Sequence, residues 1–220
     1  MSPLPNVDQH YSGELFRKAI HLCSLSIPVG YYFMAKSTAL NILVPLTVFA
    51  LAADIGRMYF PRINALFTQL FGWLLRAHER DGNRRRLNGA TYVLLSACLC
   101  IIIFPKIIVI TAFSILIISD TVAALVGRKI GNRPFLRKSL EGSAAFFTSA
   151  VIVVLLTPKT SYVSMEYVIG GIAAAIGTIV EASGVGIDDN LSIPLSVGAT
   201  MWLLYALLLP AVDIVRFGTL

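Results

Sequence analysis

The sequence predicts an all-α membrane protein, a polytopic bundle of about seven transmembrane helices with its N-terminus in the cytoplasm. Three observations lead there. Hydrophobic residues fill 56% of the 220 positions, charged residues only 14%, and the mean hydropathy is +0.77. Ordinary soluble domains carry about 25% charged residues. The apolar residues are gathered into seven stretches, and the charged ones lie between them, mostly on one side. This composition excludes a water-soluble globular enzyme, a disordered chain and a nucleic-acid-binding module. Seven crossings at about 20 residues each leave no room for a soluble domain, so residues 1–220 read as one integral-membrane domain.

In chain order the stretches are Ala19–Met34, Ala39–Ala53, Ala90–Phe104, Ile107–Val126, Ser143–Leu156, Tyr167–Val180 and Ile193–Val212. Several are shorter than a full crossing, so neighbouring helices must shield their polar ends. The third and fourth meet at Pro105-Lys106. Read as one helix they would be far too long for one crossing, so that dipeptide marks a corner. Ile63–Arg76 has apolar residues at helical spacing and fits either a helix lying in the membrane interface or a short helix against the bundle. No cleavable signal peptide is expected at the polar, proline-bearing start. Cys23, Cys98 and Cys100 sit inside apolar stretches and read as small hydrophobes.

Odd and even connections fall on opposite sides of a seven-span bundle. One side carries fourteen of the Lys and Arg residues, the other four: Lys36, Lys106, Lys159 and Arg216. Basic residues accumulate on the cytoplasmic side, which orients the chain. The net charge of +6 is therefore a topology signal before it is a partner signal. The rule does not govern acids, yet ten of the twelve share the basic face. Asp54, Asp120, Glu141 and Glu181 lie at or just past the ends of apolar stretches, where a charge costs up to about 2.5–3.5 kcal/mol, so they are functional candidates. Carboxylates mixed with Arg and Lys suit a metal–phosphate site, acids holding Mg²⁺ and cations holding phosphate oxygens.

The densest group of such residues runs from Asp120 to Gly142. Asp120, Ala123, Gly127 and Gly131 are spaced by three, four and four, and on a helix they share one face. Packing between small residues would account for the glycines and the alanine. It does not account for Asp120 in the same stripe, nor for Arg137, Lys138, Ser139 and Glu141 beyond it. Walker A, dinucleotide-binding and protein-kinase motifs are absent. The segment resembles the signature D-x-x-A-x-x-x-G-x-x-x-G-x(5)-K-K-[TS]-x-E-G of the CTP-dependent lipid kinases: dolichol kinase, phytol kinase and the yeast-type diacylglycerol kinase. Arg137 stands where the signature has its first lysine, and the other fixed positions match. Phosphatidate cytidylyltransferases share the outline but end in a histidine-bearing motif, and this chain has no His after His78.

Shorter pieces resemble further family elements in the expected order. These are Arg17-Lys18 with His21, Asp54 with Arg57, the run from Asn88 to Tyr92, and Glu181 followed by Asp188-Asp189-Asn190. The resemblance implies a kinase that moves the γ-phosphoryl of CTP to the hydroxyl of a polyprenol, a phytol-like alcohol or diacylglycerol at the cytoplasmic face. Asp120 and Glu141, with Asp188 or Asp189, are expected to hold Mg²⁺ or another divalent cation. Lys138, Arg128 and Arg137 are expected at the phosphates, and Gly127, Gly131 and Gly142 to permit close backbone approach. Asp54, Asp120 or Glu181 would orient or deprotonate the hydroxyl. Arg17, Lys18, His21, Arg57, Asn88 and Asn190 are further candidates. The rival readings are a cytidylyltransferase making CDP-lipid and a non-enzymatic transporter. Charges collected at one face argue against a continuous transport pathway.

Overall fold

A computed structural model describes residues 18–71, 87–184 and 186–215. Residues 18–23 form the described part of α1, followed by α2 (Ser26–Phe33), α3 (Lys36–Tyr59), α4 (Pro61–Phe71) and α5 (Gly89–Ile103). Then come α6 (Lys106–Ile130), a hairpin of β1 (Pro134–Phe135) and β2 (Lys138–Ser139), α7 (Leu140–Leu156), α8 (Ser164–Ser183) and α9 (Asp189–Leu208). The chain is a helical integral membrane protein. Four helices, α3, α6, α8 and α9, are long and apolar enough to cross a bilayer, while α5 and α7 are apolar but span 15 and 17 residues. The first stretch is broken, because α1 ends in a turn at Ser24-Leu25 before α2 begins.

The bundle is organised around α6. Within its apolar window 78% of the residues are buried, against 22% for α3, so α6 is the axial helix and α3 an outer one. Helix α6 packs chiefly on α7 and also on α9 and α2; α8 bridges α7 and α9; α3 leans on α5. Phe113, Ile115, Leu116 and Ile117 of α6, Phe146 of α7, Ile169 of α8 and Ile193 of α9 are fully buried. Val44, Val48 and Phe49 of α3 stay exposed, as hydrocarbon-facing residues do. Small residues let helices touch. A Cβ on Gly177 of α8 would lie 2.7 Å from Val197, and one on Gly198 of α9 would lie 2.6 Å from the Phe104 ring. Pro105 caps α6, so the corner expected there is present. Helix α4 follows α3 directly and leaves Ile63 and Leu66 exposed. It covers the first part of the expected interfacial helix, whose remainder lies outside the described residues.

Side-chain contacts show which helix ends lie together. The end of α6 that carries Gly127 meets the hairpin, the start of α7, the end of α8 and the start of α9. At the opposite end two lysines sit on backbone carbonyls. Lys36 Nζ donates to Ile102 O over 2.9 Å, and Lys159 Nζ donates to Val154 O and Thr157 O over 2.5 and 2.6 Å. These contacts satisfy carbonyls left open by the last turns of α5 and α7. Glu166, fully buried, accepts from Thr160 N and Ser161 N, both over 3.0 Å, and from Tyr205 Oη over 3.0 Å. One carboxylate thus ties the α7–α8 loop to α9.

Two predictions follow from this packing. Glu166→Ala strands two backbone N–H groups and a phenol, each costing about 1–3 kcal/mol when buried and unpaired. The apparent Tm in detergent should fall by several degrees, and by less for Tyr205→Phe; an unchanged Tm for Glu166→Ala would show that this cluster carries no stability. In Gly142→Ala the new methyl would sit 3.0 Å from Ser139 Oγ, 3.2 Å from Ala123 O and 3.3 Å from Gly127 Cα. Two of these are backbone atoms, so α6 and α7 must part, at about 1–3 kcal/mol. Gly171→Ala is the control, since its Cβ meets nothing within 4 Å and α8 gains helix propensity. Its Tm should hold or rise.

Candidate active site

At the Gly127 end of α6 a cavity of about 280 Å³ is lined by Asp120, Ala123, Ala124, Gly127, Arg128, Lys138, Ser139, Gly142 and Glu181. Eight of these nine lie in the candidate segment from Asp120 to Gly142, and the ninth is Glu181. Helix α6 runs to Ile130, so Asp120, Ala123 and Gly127 do share one helical face. Gly131 is the capping residue beyond it. The stripe faces the start of α7. A Cβ on Gly127 would meet Ser139 Oγ at 3.1 Å, and one on Gly131 would meet the same atom at 2.6 Å. Three glycines thus converge on one serine, and the close approach they permit is of the protein to itself as well as to the cavity. Ser139 is the N-cap of α7 and accepts from Gly142 N over 3.2 Å.

Lys138 lies at the centre of the polar groups. Its Nζ donates to Glu181 Oε1 over 2.6 Å and to Asp189 Oδ2 over 3.0 Å. Burial works against its charge, but Asp189 and Glu181 outweigh that effect and hold its pKa above the ordinary lysine value. The Lys138 side chain remains about a third exposed (34%), while that of Glu181 is only 4% exposed. Glu181 Oε2 is buried and accepts no hydrogen bond among the described residues. An ionised oxygen in that state calls for a cation or a donor.

Asp120 is held from the other side by α1. Lys18 Nζ donates to Asp120 Oδ2 over 2.6 Å, and His21 Nε2 stands 3.8 Å from the same oxygen. Lys18 itself is buried. Arg17 falls outside the described residues.

Other candidates are placed elsewhere. Asp54 is fully buried in a clasp, accepting from Arg57 Nε over 2.6 Å, Asn88 N over 2.8 Å and Asn88 Nδ2 over 3.2 Å. Asn88 caps α5 by accepting from Thr91 N over 3.0 Å. The clasp joins the end of α3 to the start of α5, and Asp54 does not line the cavity. Glu141 accepts from Asn132 N and Arg133 N and so closes the turn after α6. Asp188 caps α9, accepting from Asn190 N over 3.0 Å and Asn190 Nδ2 over 2.7 Å. Arg137 donates to Gly184 O over 2.8 Å. Sequence reasoning missed Ala124 as a lining residue and missed the hairpin altogether. Glu141, Asp188 and Asn88 were legible only as polar residues, because spacing does not separate a helix cap from a metal ligand.

Among the described residues no three His, Cys, Asp or Glu side chains converge as a ready-made metal centre. Magnesium commonly takes only one or two carboxylates and completes its shell with substrate phosphates and water. Asp120 and Glu181 on the cavity wall, the latter with an open buried oxygen, fit that donor set.

No family model matches, and no solved structure matches. An uncharacterized protein of Rickettsia prowazekii is 35% identical over 190 residues, covering 86% of this chain and 93% of that protein. CTP-dependent diacylglycerol kinase 1 of Saccharomyces cerevisiae is 27% identical over 209 residues, covering 82% of this chain and 70% of that protein. A probable chloroplastic phytol kinase of Triticum aestivum is 28% identical over 215 residues, covering 87% and 68%. Six of the nine signature positions line one cavity, and the relatives named as CTP-dependent diacylglycerol kinase and phytol kinase match most of the chain's length; the chain belongs to the CTP-dependent lipid kinase family.

Proposed function

We propose that the protein transfers the γ-phosphoryl group of CTP to the hydroxyl of a membrane lipid alcohol, at the cytoplasmic face of a seven-crossing bundle. The observation that carries this reading is the cavity in which Lys138 is shared by Glu181 and Asp189 while Asp120 and Glu181 form its walls. The seven crossings would be residues 18–33 as one broken segment, then α3, α5, α6, α7, α8 and α9. The alternation of helix ends seen in the side-chain contacts supports that count. With that count the site would lie on the side where basic residues accumulate, which supports a cytoplasmic orientation.

Phosphoryl transfer asks the protein mainly to position the groups and neutralise charge. Lys138 and Arg128, both on the cavity wall, would bind phosphate oxygens. Asp120 and Glu181 would hold a divalent cation, which when bound neutralises phosphate charge. Asp120 has a second task. It lies ten residues before the end of α6, about 15 Å deeper along the axis than Ile130. A lipid hydroxyl rising from the bilayer meets Asp120 before it meets Lys138, so Asp120 orients the acceptor. Asp54 is not needed for that role, because Arg57 and Asn88 already occupy its oxygens.

The decisive assay incubates purified protein with labelled CTP or ATP, Mg²⁺ and a panel of polyprenol, phytol and diacylglycerol, and identifies products by mass. The expected products are CDP and a lipid phosphate. Pyrophosphate with CDP-lipid would make it a cytidylyltransferase, and lipid or ion flux without CTP use would make it a transporter. Lys138→Ala and Asp120→Asn should insert normally and lose at least about 10²-fold in kcat/KM, the scale of one preorganised charge contact. Wild-type turnover in both would refute the site.

A further inference from the structure

The hairpin carries two consecutive basic residues that end up in different places. Lys138 points to the cavity, and Arg137 points away from it onto the end of α8. Arg137 makes two bonds there. Its backbone N donates to Ala182 O over 3.0 Å, and its guanidinium Nη1 donates to Gly184 O over 2.8 Å. Gly184 stops α8 in the left-handed conformation, with φ +50, and a Cβ at that position would lie 3.4 Å from Arg137 Cδ. The side chain therefore lies flat along the helix terminus and caps a carbonyl the helix leaves open.

The turn is held against its own preference. β1 and β2 pair Phe135 with Lys138, leaving Leu136 and Arg137 as a two-residue loop. Leu136 has φ +52 and is 61% exposed. Such loops normally use Gly, Asn or Asp at positive φ, and a leucine there is disfavoured by its Cβ. Leu136 gains no burial in return, so the conformation must be imposed by its neighbours. The docked Arg137 is the neighbour that imposes it.

We propose that Arg137 is a positioning residue. Its guanidinium ties the hairpin turn to the C-terminal end of α8, and this tie, with no contact to phosphate, sets Lys138 between Glu181 and Asp189. The geometry is direct. Glu181 immediately precedes Ala182, whose carbonyl Arg137 N engages, and Asp189 follows the loop that starts at Gly184. Fixing Arg137 on residues 182–184 fixes Lys138 relative to both acids at once. The signature's two basic positions thereby divide their work: the first anchors and the second faces the ligand. A lysine at the first position could donate to the same carbonyl, which explains why either cation serves there. The inference rests on the proposed kinase reading for what Lys138 does, and on coordinates alone for what Arg137 does.

The test is read without nucleotide or turnover. Lys138 of the full-length protein in detergent is labelled with an amine-reactive anhydride across a pH series, and its modification is measured by mass spectrometry. Only the unprotonated amine reacts, so carboxylate partners that raise its pKa push labelling to higher pH. Arg137→Met keeps the apolar stem against Gly184 and the backbone bond to Ala182, so the chain still folds, but it removes the donor that ties the turn to Gly184. Lys138 labelling at fixed pH should rise severalfold and its midpoint should move to lower pH, while Arg137→Lys should stay at the wild-type midpoint. An unchanged midpoint in Arg137→Met overturns the proposal, all the more if that variant binds CTP weakly, because Arg137 would then act at the phosphates. A shift in Arg137→Lys as large as in Arg137→Met overturns it too. If the protein proved not to be a kinase, the labelling result would still stand or fall by itself.

Discussion

Lys138 bonds at once to Glu181 and Asp189, and the arrangement of this end of the bundle depends on that shared cation. Lys138 in the hairpin is 43 positions from Glu181 in the last turn of α8 and 51 from Asp189, the first residue of α9, and the two bonds bring them to one point. Removing one partner of such a group leaves the other charges buried and uncompensated, which costs more than the pair contributes. The two bonds fix where Lys138 sits relative to both acids. The cavity is the space this arrangement leaves beside the small residues of α6.

Small side chains on α6 and α7 are the second condition. Gly127, Gly131 and Gly142 surround Ser139 so closely that any Cβ would displace it. This lets β2 lie against α6 and turns Lys138 toward α8. Gly127 and Gly142 also line the cavity, so these two glycines serve both the packing and the cavity wall. On the far side Lys18 reaches Asp120 from α1, a sequence distance of 102 residues closed by a single 2.6 Å bond.

The helical bundle was legible because hydrophobic runs are long-range signals that need no partner to be read. The corner at Pro105 and the extension of α6 through Asp120, Ala123 and Gly127 followed from local rules of the same kind. The hairpin was not legible, because its two loop residues, Leu136 and Arg137, are not the Gly, Asn or Asp that mark such turns, although Leu136 has φ +52. Among the site residues, Asp120, Lys138 and Glu181 emerged as a group from signature and charge placement. Spacing gave no means to tell that Asp54, Glu141 and Asp188 spend their oxygens on Arg57, a turn and a helix cap. A carboxylate's role depends on how many donors already reach it, and that is a property of the folded chain.

That criterion also separates the two ends of the bundle. At the end away from the cavity, Lys159 and Glu166 are as deeply buried as any group near Lys138. Glu166 accepts on both oxygens, and Lys159 caps two carbonyls and lies 5.0 Å from the Tyr167 ring centre. A buried ionic cluster with its bonding capacity used is a brace. At the cavity end Glu181 keeps one buried oxygen without a donor, and Lys138 keeps a third of its side chain exposed. An unpartnered hydroxyl such as that of Ser119 costs what a neutral group costs, whereas an unpartnered carboxylate oxygen costs much more. A fold tolerates that expense where a ligand repays it. Glu166 and Glu181 are both buried, so the open valence at Glu181 is what sets the Lys138 end apart.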